Sequence, residues 1–108
     1  MKVPKYYNSG SRRSQIIHAR LRMKCSNLNN HLVIRHISEN PNCQCNEDIE
    51  DVKHFLLDCK LHTSSRDKYI PSNTSLENLL YGNPNLNTRT NMEIFESVAL
   101  FIEDTKRF

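Results

Sequence analysis

Cys43, Cys45, His54 and Cys59 lie within seventeen residues and are spaced C-x-C-x8-H-x4-C. Three thiolates and one imidazole supply soft sulfur and borderline nitrogen, the donor set of a closed tetrahedral Zn²⁺ site. Four protein ligands leave no open position, so the pattern points to a metal that holds structure rather than one that performs a reaction. The first pair is tighter than the usual two to four intervening residues. The second pair also constrains the backbone. On a continuous α-helix, positions i and i+5 diverge by about 140°. Cys59 must therefore sit where a helix ends and the chain turns back, or His54 must lie in a first turn. The competing reading is buried cysteines beside a packed histidine. His62 is a spare ligand for either His54 or Cys59. Cys25 falls on an apolar helical stripe and reads as core.

The elements that position these residues read as mainly helical. Residues 1–11 contain Pro4 and Gly10 and read as a linker or flexible lead-in. Residues 12–108 then form a single zinc-binding helical domain, with its metal core at 41–62. A first helix is expected from Arg12 to Ser26, with Ile17, Leu21, Cys25 and Leu28 on one apolar stripe. Ile16, Ala19 and Met23 make a second apolar face, so this helix is expected to be covered on two sides. Leu32 to Ile37 fits a short helix or an extended segment. Glu39-Asn-Pro-Asn42 is a turn into the cysteine pair, and Asn46 suits a left-handed position after it. Asp48 is a candidate N-cap for a helix reaching Cys59, with Glu50 and Asp51 in its first turn. Thr74-Ser-Leu-Glu77 and Thr90-Asn-Met-Glu93 read as capping boxes for two further helices, the last running to about Lys106. The expected fold is mainly α, a small zinc-stabilised domain with a short turn or hairpin at the cysteine pair. Ile17, Leu21, Phe55, Leu56, Phe95 and Ile102 are its expected core.

A basic cluster lies on the first helix: Arg12, Arg13, Arg20, Arg22 and Lys24. Guanidinium forks suit phosphate, so these residues are candidate nucleic-acid contacts; the alternative is a solvated edge. Tyr6 and Tyr7 suit base stacking or packing on the domain, and packing is the preferred reading. Net charge of +3 is too mild to decide between these readings. Catalytic motifs are wanting: there is no G-x-S-x-G, P-loop or H-E-x-x-H. Asp48, Glu50 and Asp51 are an acidic run of the kind found at helix starts, rather than carboxylates converging from separate elements. No stretch reaches the ~18 apolar residues of a membrane span. The opening residues have no apolar signal core, which suggests a cytoplasmic or nuclear protein, not a secreted one. In such a reducing compartment, clustered cysteines are expected to be metal ligands.

The ordered motifs also resemble a known family. Gly10-x-Arg12, Ile17-His-Ala-Arg-Leu-Arg22, Cys25-Ser-Asn-Leu-Asn29, Leu32, Pro41-x-Cys-x-Cys45, Glu50-Asp51, His54-Phe-Leu-Leu-x-Cys59 and Arg66 are similar to the tail of non-LTR (LINE-type) retrotransposon polyproteins, beyond the reverse transcriptase domain. Leu79-Leu-Tyr-Gly-Asn-Pro84 and Val98 to Phe108 resemble the end of such polyproteins in invertebrate animals. The family usually has Gly where Asn46 stands, and an aromatic near His62. The resemblance implies a CCHC zinc region and binding to template RNA or target DNA, with no small-molecule substrate. It also implies a fragment whose polymerase and nuclease residues would lie upstream; the parent protein would be an RNA-directed DNA polymerase. The alternative is a structural or protein-interaction zinc module with no nucleic-acid role. A metallohydrolase is the third and least favoured reading.

Overall fold

A computed structural model describes residues 4–108. Five α-helices carry the fold: α1 (Arg12–Arg22), α2 (Asn29–Ile34), α3 (Thr63–Tyr69), α4 (Leu76–Tyr81) and α5 (Thr88–Thr105). No strand is present among the described residues; Asn42 and Ile49 form one isolated antiparallel bridge.

Helix α5 is the organising element, packing against α1, α3 and α4. Its apolar residues recur at helical spacing, so Phe95, Val98, Ala99, Phe101 and Ile102 are all buried on the inward side. Val98, Phe101 and Ile102 meet Ile17 and Leu21 of α1, Phe55 and Leu56, and Leu79 and Leu80 of α4 in the apolar core, while Phe95 packs against Tyr6, Tyr7 and His18. All six expected core residues are buried. The radius of gyration is 13.6 Å, against about 13 Å for a compact chain of this length.

Local chemistry sets the helix ends. Ser11 caps α1, its hydroxyl oxygen accepting from the Ser14 amide at 3.1 Å. Lys24 then takes a left-handed backbone (φ 56°), which stops α1 at Arg22 rather than at Ser26. Helix α4 is capped by Ser75 rather than Thr74, and α5 by Asn87 rather than Thr90. The Asn87 side chain accepts from the Thr90 amide at 2.7 Å, so α5 starts one turn earlier than its apolar pattern suggests.

Two expectations are corrected, and one helix stands where no element is expected. Residues 5–11 are not an open lead-in. Lys5–Asn8 form a helical turn against α5, with Tyr6 edge-on to Phe95 and Tyr7 stacked on it, both at 5.1 Å. The residues 1–3 of the expected linker lie outside the described residues. Close approach explains two glycines here. A Cβ at Gly10 would lie 2.5 Å from Ala99 Cβ, and one at Gly82 would meet the Tyr6 ring at 2.5 Å. Second, α1 is covered on one side only: Ile16 is 36% and Met23 66% exposed. The unexpected helix is α3, after Cys59, which no apolar period marks in the sequence.

Candidate metal centre

The cysteine pair sits in a hairpin. The Glu50 amide donates to Pro41 O at 2.8 Å and the Cys43 amide to Asp48 O at 2.9 Å. Between them the chain reverses, with Asn46 N–H donating to Cys43 O at 3.0 Å. Asn46 has φ 63°, the left-handed position expected of it, and its short polar side chain tolerates that better than most. The reversal returns Cys45 beside Cys43, so one intervening residue suffices.

The second pair is placed by an unusual turn. His54–Asp58 form a π-helical turn closed by the Cys59 amide donating to His54 O at 2.7 Å. This i→i+5 bond widens the turn and brings positions five apart onto a common side. Cys59 then leaves in extended conformation (φ −64°, ψ 124°). Both conditions imposed by the spacing are met: the histidine opens the turn and the cysteine ends it. Asp51 rather than Asp48 caps this segment, its carboxylate accepting from the His54 amide at 2.8 Å. Asp48 belongs to the hairpin instead.

Arg66 of α3 finishes the turn. Its guanidinium donates to Phe55 O at 3.1 Å, Leu56 O at 2.9 Å and Cys59 O at 3.0 Å. Carbonyls at a helix end have no partners within the helix. One planar fork satisfies three of them and fixes the backbone of a ligand. Glu50 is a second support. It is buried, accepts from the Asn29 amide at 2.8 Å, and pairs with Arg107.

The outcome is convergence. One ligand atom from each of Cys43, Cys45, His54 and Cys59 lies within 4.8 Å of the other three, and all four residues are buried. Cys43 Sγ and Cys59 Sγ are 3.6 Å apart, and Cys45 Sγ lies 3.2 Å from His54 Nε2. Tetrahedral coordination with metal–sulfur bonds of 2.3 Å implies sulfur–sulfur separations of about 3.8 Å. The donor set therefore fits a soft or borderline metal ion, and it forms a cluster separate from the apolar core.

Electrostatics agree with cation binding. The backbone amide of Glu47 and the His54 ring draw the Cys45 thiol down to about 7, while burial above all pushes Cys43 up to about 12. A bound metal ion favours thiolate on every sulfur it touches. Arg107 and Arg66 add positive charge nearby: Cys43 acts on the first and Cys59 on the second. Such outer groups offset the negative charge that three thiolates bring to one divalent ion.

The other candidates are placed elsewhere. His62 is not at the cluster; it packs edge-on against the Phe55 ring at 5.2 Å. Cys25 is half-buried and apart from the cluster. Arg12, Arg13, Arg20 and Lys24 are exposed, and none has an ion-pair partner among the described residues. Arg22 differs from them. It is half-buried, donates to Leu80 O at 3.2 Å and lies 4.1 Å over the Tyr7 ring. His18, placed by helical spacing on the same edge as Arg22, is buried and bonded to Leu79 O at 2.8 Å. Among the described residues, no helix is long and apolar enough to cross a membrane.

The supporting roles of Arg107 and Glu50 were missed from sequence. Arg107, next to Lys106 and far from the cysteines in sequence, carries no local signal of such a role. Arg66 stood out only through its place in the ordered motifs. A scan against models of protein families finds no match, and searches of curated proteins and of solved structures find none either.

Proposed function

We propose that this chain is a zinc-stabilised nucleic-acid-binding module. Cys43, Cys45, His54 and Cys59 hold one Zn²⁺ that fixes the hairpin against the helices. The exposed edge of α1 contacts phosphates. The observation that carries this reading is the set Arg12, Arg13, Arg20 and Lys24, exposed on or just after one short helix and in no salt bridge among the described residues, with only Arg13 near enough to a carboxylate, that of Glu103, to act on it. Arginine forks without partners suit phosphate oxygens. The likeness of the ordered motifs to the tail of LINE-type retrotransposon polyproteins supports the same reading, with retroelement RNA or target DNA as the partner in nucleus or cytoplasm. The role is binding, with no reaction of its own. Arg22 contributes chiefly by holding α1 to α4 and Tyr7.

A second reading is a protein-interaction module without a nucleic-acid role. Ile34 and Ile37, exposed by 50% and 64% at the end of α2, favour it. Filter binding at two salt concentrations separates the two. A variant with Arg12, Arg13 and Arg20 changed to Ala is expected to keep its fold and bind RNA more weakly. Its log–log salt slope should fall by about two units, since each single-strand phosphate contact contributes about 0.7. Binding as tight as the parent at low salt would leave the interaction module standing.

A further inference from the structure

The uncovered side of α1 carries more than charge. Two cavities of about 460 Å³ and 450 Å³ flank the helix, and Arg12, Ile16 and Arg20 line both. These residues are four apart, so they form one ridge along the helix surface. Met23, 66% exposed, continues its apolar character on one side. Each cavity also has an aromatic wall: Phe108 in the first and Tyr7 in the second.

We propose that the two cavities are paired base subsites for single-stranded nucleic acid, with the sugar-phosphate link crossing the ridge between Arg12 and Arg20. This rests on the nucleic-acid reading above and adds the form of the ligand. A duplex presents phosphates outward and keeps its bases stacked inside. It would leave nothing to occupy either cavity. An unpaired strand can place its bases on apolar and aromatic walls while arginines take the phosphate. The alternation of cation, apolar residue and cation at Arg12, Ile16 and Arg20 matches that chemistry.

The test uses metal-loaded protein and fluorescence anisotropy with a short mixed-sequence strand, as RNA and as DNA. The same strand is also measured annealed to its complement and as an abasic version that keeps every phosphate. The single strand should bind about tenfold or more tighter than the duplex, and the abasic strand should lose that advantage. Ile16→Gln, at an exposed position and without change of charge, should weaken single-strand binding several-fold with an unchanged salt slope and melting curve. Whichever of RNA and DNA binds more tightly identifies the source of the strand. Single strand, duplex and abasic strand all binding with equal affinity would overturn the subsites while leaving the phosphate reading intact. Failure of every strand to bind at low salt would overturn both. A Glu-rich amphipathic peptide that binds more tightly than the strands and displaces them would assign the cavities to a protein partner instead.

Discussion

The Arg107 guanidinium grips both oxygens of the Glu50 carboxylate, Nε to Oε2 at 2.8 Å and Nη2 to Oε1 at 2.6 Å, across 57 positions of sequence. Arg107 also donates to Asn27 O at 2.9 Å. One residue just past α5 thereby ties the cysteine hairpin to the loop before α2. Arg107→Ala would leave a buried carboxylate with little beyond the Asn29 amide. It is expected to cost about 2–3 kcal/mol in urea unfolding, toward the low end for a broken buried pair because Arg107 is itself partly exposed. Burial raises the Glu50 pKa, but the Arg107 bonds outweigh it and the net shift is downward. Its contribution is therefore present above the ordinary carboxylate range and lost as pH falls through the lower folded value. Arg107→Ala should flatten that acid limb.

Metal removal is expected to loosen the whole domain, because Val52, Phe55 and Leu56 of the ligand-bearing segment are part of the main core. Metal-binding free energy is folding free energy in such sites. A loss of even about 2 kcal/mol lowers the melting temperature by about 8–16 °C in a domain of this size. Native mass spectrometry should find one Zn²⁺ per chain. Cys59→Ser and His54→Ala should abolish that stoichiometry, and His62→Gln should retain it. A zinc ion kept by His54→Ala but lost with His62→Gln would contradict the ligand assignment.

Arg66→Lys preserves charge but cannot reach three carbonyls with one fork. It is expected to destabilise the domain by about 1–2 kcal/mol. Zinc should also be released faster to a competing chelator, because the Cys59 backbone loses its anchor. A chelator-competition time course checks this. Release at the parent rate would show that the π-turn holds itself.

His18 gives the fold an acid sensitivity separate from the metal site. Burial first, then the charge of Arg22, lowers its pKa from 6.5 to about 4. The unfolded chain therefore takes up this proton at higher pH than the folded one. Stability is full above about 6.5, falls as pH drops toward 4, and levels off below. Between neutrality and about pH 5 the loss should be about 2 kcal/mol. His18→Gln should remove that portion of the slope. The comparison is urea unfolding of parent and variant at both pH values, so that acid effects on the thiolates cancel.

The parts legible in the sequence were those governed by local chemistry. Asn46 announced a left-handed turn because few other side chains accept one. The apolar period of Phe95, Val98, Ala99 and Ile102 announced α5. The five-residue step from His54 to Cys59 limited the backbone to a helix end, although the π-turn itself has no residue signature. What could not be read depends on distant partners. Helix α3 has polar residues of modest propensity in Thr63-Ser-Ser-Arg-Asp, and the guanidinium that ties it to the π-turn comes from within it. The apolar Ile16 and Met23 looked like a second buried face, since periodicity reports apolarity and not which faces find partners. Tyr6 and Tyr7 are expected to pack, but the close approach of Gly82 that admits the Tyr6 ring is a tertiary fact.

The spacing of the metal ligands also bears on the order of assembly. Cys43 and Cys59 are only 16 positions apart, whereas Arg107 meets Asn27 across 80. Short loops close with less entropy loss than long ones. As the chain is synthesised, all four ligands emerge before α5 exists to complete the core. Zinc is thus expected to nucleate the hairpin and π-turn, which then wait for α5 as a template. Pulse-labelled hydrogen exchange during refolding with zinc should protect the Cys59 amide before those of Val98 and Ile102. The opposite order would mean that the helices assemble first and the metal enters a finished socket.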